Sequence, residues 1–493
     1  MRLCDMPLYQ LSAMLDEKSI SAKEIAQDVM KRIGEANATV GGYITILDEK
    51  EIMESAQKTD ERIAAGARRS KIDGIPYALK DNMCTKGIRT TCSSKLLENF
   101  VPVYNATVYE HLINAGGVLV GKADMDEFAM GSANENSALS FTRNPWDTKK
   151  VAGGSSGGSS ATVASGQAVF SLGSDTGGSI RLPASFCGIT GFKPTYSAVP
   201  RYGVIAFASS LDQVGPLTKD IRDTAIVLDE IVKYDDKDST SAKIATNYAQ
   251  NLNNNIKGMR IGVDASLVEA TDEDTKAAVL TAIEKFKEMG CKIVDLSFNH
   301  NEIMVAAYYI ISSAEASSNL ARFDGMTYGV RREGENVIDT YVNTRSWGFG
   351  PEVKRRIMMG TFVLSSGYYD AYYKKALQDR TLIKHNFDAA FELCDCVLSP
   401  TTIFTAYDAG KKLEHPTDAY MSDVFTPMAN IAGLPAASIP CGFAKNGMPI
   451  GLQLIGNSYQ EQTLLNMAYA YQQETDFHLQ RPKMTGEGEK DEV

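Results

Sequence analysis

An α/β architecture is predicted by three observations. Amphipathic helical segments open the chain. Short apolar runs of strand character follow at residues 75–79, 118–120 and 169–172, and a strand–helix–strand pattern recurs between residues 260 and 296. The first helix is marked by Ser21-Ala-Lys-Glu24, a capping box in which the serine hydroxyl takes an orphan amide and the glutamate returns to the cap. Ile25, Val29 and Ile33 then recur at i, i+4 and i+8, and Gly34 is the expected stop. A second helix is expected around Ile52, Ala56 and Ile63. Between residues 151 and 191 glycine, serine and alanine dominate, which is linker composition. Val163, Val169, Phe170, Leu172, Ile180, Leu182 and Phe186 are interleaved, and linkers rarely carry that much apolar side chain. Residues 235–255 are polar and read as a surface crossing. The βαβ-like unit beyond them comprises a strand at 260–263, a helix over about 272–289 ended by Gly290, and a strand at 292–296. It has the look of an insertion or second lobe. Residues 485–493 are charged and read as a frayed tail.

Composition narrows the function. The 493 residues carry 61 acidic against 50 Lys and Arg side chains, a formal charge of −11, and 44% are hydrophobic. That content supports a large core and excludes a disordered or collagen-like chain, and the negative balance argues against a polyanion being gripped by this chain alone. The eight cysteines lack paired spacing except at Cys394-Asp-Cys396, which is not a zinc-knuckle pattern, so free thiols in a reducing cytosol are expected. The start lacks a basic-then-apolar signal layout, and no window approaches the ~20 apolar residues of a membrane span. A cytoplasmic location is the expectation.

Few residues here could do chemistry. His111, His300, His385, His415 and His478 show no metal-ligand spacing, and no metal site is expected. Gly116-Gly-Val-Leu-Val-Gly121-Lys122 has the glycines and lysine of a phosphate loop. It places Ala123 where a hydroxyl must reach magnesium, and its context is helix stop then strand, so nucleotide binding is not expected there. More unusual are Gly153-Gly-Ser155-Ser-Gly-Gly158 and Gly173-Ser-Asp175-Thr-Gly-Gly-Ser179. Serine hydroxyls among glycines can be approached closely by a substrate, and glycine amides can converge on an oxyanion. A serine nucleophile needs a base, and no histidine is near in sequence, which points to lysine. Lys80 ends the apolar run Gly74-Ile-Pro-Tyr-Ala-Leu-Lys80. There burial would disfavour its ammonium form and make it a base near neutrality; the competing reading is a strand-end lysine that reaches to water.

Together the Lys80-Asp81-Asn82 segment, Ser155-Ser156-Gly157-Gly158 and Asp175-Thr-Gly-Gly-Ser179-Ile-Arg-Leu-Pro resemble the amidase signature family, and the spacing of the serines, 179 − 155 = 24, fits it. The resemblance implies that Ser179 is the acyl-forming nucleophile, that Ser155 lies in a cis peptide and relays the proton, and that Lys80 is the final base. It further implies that the amides of Thr176, Gly177 and Gly178 hold the oxyanion. The fold it implies is a single α/β/α layered domain with a central twisted mixed sheet covered by helices. That domain spans residues 66–480 with an excursion at about 235–300; a helical region, residues 1–65, packs on the core, and a charged flexible tail occupies 481–493.

Later segments, among them Met125-Asp-Glu-Phe-Ala-Met-Gly131, Ala206-Phe-Ala-Ser-Ser-Leu-Asp-Gln213 and Glu315-Ala-Ser-Ser-Asn-Leu-Ala-Arg-Phe-Asp-Gly325, are similar to the branch of that family formed by A subunits of glutamyl-tRNA(Gln)/aspartyl-tRNA(Asn) amidotransferases. This implies glutamine as substrate, with recognition by Tyr308, Arg356 and Asp423; Tyr309 and Arg355 are neighbours of the same types. A guanidinium can pair with the α-carboxylate and a carboxylate with the α-ammonium. It also implies a B subunit that binds tRNA, ATP and magnesium, and a C subunit that wraps around this chain. No cofactor is expected in this chain. The competing readings are a free-standing amidase that keeps the triad and dispenses with Arg356 and Asp423, and a non-catalytic scaffold whose Gly/Ser loops bind a ligand or partner.

Overall fold

The first apolar runs of the sequence supply three neighbouring strands of one mixed sheet, into which eleven strands pair among the described residues. They are β1 (Tyr43–Ile46), β2 (Pro76–Lys80), β3 (Val118–Ala123), β4 (Phe170–Asp175), β5 (Thr190–Lys193), β6 (Gln213–Thr218), β7 (Arg260–Val263), β8 (Lys292–Asp295), β9 (Cys396–Pro400), β10 (Ala436–Phe443) and β11 (Pro449–Ile455). The computed structural model describes residues 2–244, 246–298, 301–411 and 422–484, with the main chain alone at 301 and 302. His300, His415 and residues 485–493 lie outside the described residues. The sheet order is β1-β3-β2-β4-β6-β5-β10-β11-β9-β7-β8. Strands β3, β2 and β4 run parallel, as do β9, β7 and β8, and the remaining pairs are antiparallel. Parallel strands occur almost only where both faces of the sheet are covered. β2, β3 and β4 are accordingly buried along their whole length.

The capping box closes as expected: the Ser21 hydroxyl accepts from the Glu24 amide, and the glutamate accepts from the Ser21 amide. Gly34 does not stop the helix. It continues as Ala22–Val40 and ends at Gly41, whose φ of 66° is the left-handed cap that a glycine adopts without strain. Continued apolar spacing to Ala36 and Val40, both buried, carries it past Gly34. The helix expected next spans Glu49–Ala64. The first 65 residues are not only helical, because β1 forms the sheet edge on β3. Beyond the polar crossing, β7 and β8 join the same sheet through β9, so the βαβ unit extends the sheet instead of forming a separate lobe. Its helix is Glu273–Glu288, with Gly290 just beyond at φ 90°.

The Gly/Ser/Ala stretch is interior: every residue from 151 to 191 is buried. Small side chains are required because backbones meet there. A Cβ on Gly158 would stand 2.5 Å from both the amide and the carbonyl of Asp124. The phosphate-loop-like segment has another role as well. It turns at Gly116-Gly117 into β3, and Lys122 is a fully buried strand lysine, 3.2 Å from Asp81 Oδ1 and donating to the Thr90 hydroxyl at 2.8 Å. All eight cysteines are buried free thiols, and no helix among the described residues is long and apolar enough to cross a membrane.

Candidate active site

The parallel pairing of β2 with β4 brings Lys80 and Asp175, the last residues of those strands, to one edge of the sheet. Crevices at the carboxyl ends of parallel strands are the usual place for chemistry in α/β sheets. Ser155 and Ser156 stand just before helix Gly157–Ala164, and Ser179 just before helix Arg181–Cys187. The Gly154–Ser155 peptide is cis, as the resemblance implied. Around it, the Ser155 carbonyl accepts from the Asp126 amide at 3.2 Å, the Gly157 amide donates to Asn134 Oδ1 at 3.1 Å, and the Gly158 amide to the Asp124 carbonyl at 3.1 Å.

Lys80 is fully buried, and its Nζ donates to the hydroxyls of Ser155 and Ser156, both at 2.8 Å, and to the Ser174 carbonyl at 3.3 Å. The strand-end lysine that reaches to water is thereby overturned. Burial pushes its ammonium down to about 7, against the support of the Asp126, Asp175 and Asp212 carboxylates. Ser179, at 8% exposure, is the most accessible of the three expected triad residues. Its carbonyl accepts from the Ser156 amide at 3.2 Å, which ties the two serine loops together, while among the described residues its hydroxyl bonds to none, that of Ser155 included.

The expected oxyanion donors differ among themselves. The Gly178 amide is committed to Asp175 Oδ1 at 2.8 Å, and the Ile180 amide to Oδ2 at 3.2 Å. The amides of Thr176, Gly177 and Ser179 have no acceptor among the described residues. Gly178 is therefore a correction to the expected set. Its amide helps to hold the loop, and its φ of 128° with Thr426 packed against its α-carbon excludes a side chain there. Asp175 anchors this turn. It pairs with Arg181 at 3.0 Å, both fully buried, and accepts from Asn430 at 2.8 Å, while Arg181 also donates to Gln453 at 2.5 Å and to the Thr426 carbonyl at 2.9 Å. Against the cost of burial, the Arg181 guanidinium holds the Asp175 carboxyl well below the usual carboxylate range.

The three expected recognition residues converge beside this loop. Tyr308 packs over the α-carbon of Gly177. Arg356 is 3% exposed, its guanidinium 4.4 Å from the ring centre of Tyr309, and its Nε donates to Glu352 at 2.6 Å. Asp423 is 9% exposed and accepts from the Ser132 hydroxyl at 2.5 Å and from the Tyr309 hydroxyl at 3.2 Å. Burial pushes its carboxyl up to about 7, opposed by Ser132, Arg356 and Tyr309. Arg355, by contrast, is on the surface side of its helix, 42% exposed and paired with Glu352. Sequence reasoning missed Ser156, Ser132 and the Asp175–Arg181 lock, and it named Tyr308 for recognition where Tyr309 is the tyrosine that hydrogen-bonds Asp423. A signal existed for the lock, since Asp175 and Arg181 are opposite charges in an otherwise neutral stretch.

A model of the family described as Amidase matches residues 24–465. The chain belongs to the amidase family. This amidase is 51% identical over 490 residues to the A subunit of glutamyl-tRNA(Gln) amidotransferase from Caldanaerobacter subterraneus subsp. tengcongensis, covering 99% of this chain and 100% of that one. It is also 51% identical over 486 residues to the protein of the same name from Moorella thermoacetica, covering 98% and 99%. Among solved structures it superimposes on the A subunit of glutamyl-tRNA(Gln) amidotransferase from Thermotoga maritima with a TM-score of 0.82 at 37% identity over 98% of each chain. A peptide amidase of Stenotrophomonas maltophilia matches with a TM-score of 0.84 at 26% identity, covering 97% of this chain and 99% of that one. The α/β fold with its central mixed sheet is thus the amidase fold.

Proposed function

We propose that this chain is the glutamine-hydrolysing subunit of a tRNA-dependent amidotransferase. The observation that carries the reading is the buried pair Arg356 and Asp423, arranged around Tyr309 beside the free amides of the serine loop. Such a pair suits the two ends of a free amino acid: the guanidinium takes the α-carboxylate and the carboxylate the α-ammonium. The identity of about half to A subunits of glutamyl-tRNA(Gln) amidotransferase supports the assignment to such a complex.

In this reading neutral Lys80 accepts a proton from Ser155 while Ser155 accepts one from Ser179, whose oxygen attacks the side-chain carbonyl of glutamine. Substrate binding closes the link between the two hydroxyls; catalytic hydrogen bonds commonly tighten on that step. The amides of Thr176, Gly177 and Ser179 stabilise the oxyanion, and loss of one such donor costs on the order of 3 kcal/mol in other enzymes. The C–N bond breaks as the proton held on the relay passes to the leaving nitrogen, ammonia departs, and water hydrolyses the ester at Ser179 to release glutamate. Ammonia passes within the assembly to a B subunit that binds tRNA, ATP and magnesium, activates the carboxyl of the mischarged Glu-tRNA(Gln) or Asp-tRNA(Asn), and is held together with this chain by a C subunit. The test is Ser179→Ala in the complex assembled with its partner subunits. Glutamine-dependent transfer should vanish while transfer from ammonium salts persists; a variant that still uses glutamine normally would refute the assignment.

A further inference from the structure

A cavity of about 380 Å³ is lined by residues of helix Glu49–Ala64, helix Thr107–Asn114, β2 and β3. That volume is in the range of small-molecule sites. The first helix turns one face to it, Glu51, Ser55, Lys58 and Arg62, spaced by four, three and four residues. The second contributes Tyr109 and Ile113, and the floor is Tyr77 of β2 and Leu119 of β3. Tyr77 is completely buried, yet its hydroxyl has no hydrogen-bond partner among the described residues. That hydroxyl is itself closed to the cavity, so the floor presents ring and aliphatic carbon. Around the rim the charge is positive on a chain whose overall charge is −11. Arg62 is met by buried Asp73 at 2.5 Å, but neither Lys58 nor Arg69 forms an ion pair among the described residues, and Glu51 is the one carboxylate among the lining residues.

We propose that this cavity is a second ligand site, separate from the candidate active site, for a small anion with an apolar body: a carboxylate or sulfonate whose charge rests between Lys58 and Arg69 and whose hydrocarbon part lies on Tyr109, Ile113 and Leu119. Three positions along β2, an odd number, separate Tyr77 from Lys80, so their side chains leave the strand on opposite faces. Occupancy therefore does not obstruct the serine loop.

The probe is 8-anilinonaphthalene-1-sulfonate, titrated by fluorescence into the full-length chain, with uncharged N-phenyl-1-naphthylamine as its comparison. One saturable sulfonate site is expected. Lys58→Glu combined with Arg69→Glu, both exposed side chains, should weaken the sulfonate about tenfold or more and leave the uncharged probe within about threefold. Ser55→Trp, which fills the cavity from the helix side, should abolish binding of both probes, with the thermal transition as the check on folding. Glutamine hydrolysis should be unchanged in all of these chains. The proposal is overturned if no saturable site appears, or if the charge-reversed variant binds the sulfonate as wild type does; that comparison decides even if the tryptophan variant fails to fold.

Discussion

Lys80 Nζ stands 2.8 Å from the Ser155 hydroxyl and is completely enclosed by protein. A desolvated amine with hydroxyl partners is a base, where the same amine in water would be a permanent cation.

The pH dependence of glutamine hydrolysis follows from two groups. In the proposed mechanism Lys80 must be neutral to accept a proton and Asp423 charged to hold an ammonium, and burial moves both to about 7. Both are therefore in the working form above that pH and lost below it. A plot of log kcat/KM should rise with pH to a plateau above about 7, with a limiting slope near two on the acid side. Asp423→Asn should reduce that slope to about one and raise KM.

Ser155 and Ser156 hold the same amine but are expected to differ in effect. The Ser156 hydroxyl also donates to the Ser174 carbonyl at 3.1 Å, a contact that fixes position. Ser155→Ala should cost roughly 10² to 10⁴ in kcat, the range for loss of a proton-transfer group. Ser156→Ala should cost less than about a tenth of that, measured by ammonia release at saturating glutamine.

Tyr309 and Tyr308 can be separated by which constant moves. Tyr309→Phe removes the hydrogen bond to Asp423, whose loss at about 1 kcal/mol corresponds to a roughly fivefold rise in KM with kcat little changed. Tyr308→Ala opens space over Gly177 and should lower kcat instead. The reverse pattern would exchange their roles.

Arg181 locks the turn that carries Ser179. Arg181→Ala would leave Asp175 as an uncompensated buried charge, at a cost of about 3 to 5 kcal/mol in global stability. Chemical denaturation of the isolated chain should show the midpoint falling by a corresponding amount with an unchanged slope. A loss under about 1 kcal/mol would mean the pair is dispensable.

What could be read in advance depended on how local its cause is. The capping box at Ser21 and Glu24, the apolar runs that became β2, β3 and β4, and Gly290 beyond its helix are governed by neighbours within a few residues. The strand-end position of Lys80 and the glycine-rich turns around Ser155 and Ser179 drew attention to them, and their roles came from the family resemblance. The edge position of β1 and the attachment of β7 and β8 were not legible, since strand order is decided by pairing between segments far apart in sequence. The same holds for Ser132 against Asp423, 291 positions apart. Gly34 misled because a glycine is tolerated inside a helix whose apolar face continues beyond it.

The most direct test of the lysine-driven serine is covalent labelling of the wild-type and Lys80→Met chains with a fluorophosphonate or with 6-diazo-5-oxo-L-norleucine, mapped by mass spectrometry and followed in time. The account predicts an adduct on Ser179 in the wild type and labelling slower by about 10² or more in the variant. An adduct on another residue, or equal rates in the two chains, would contradict it.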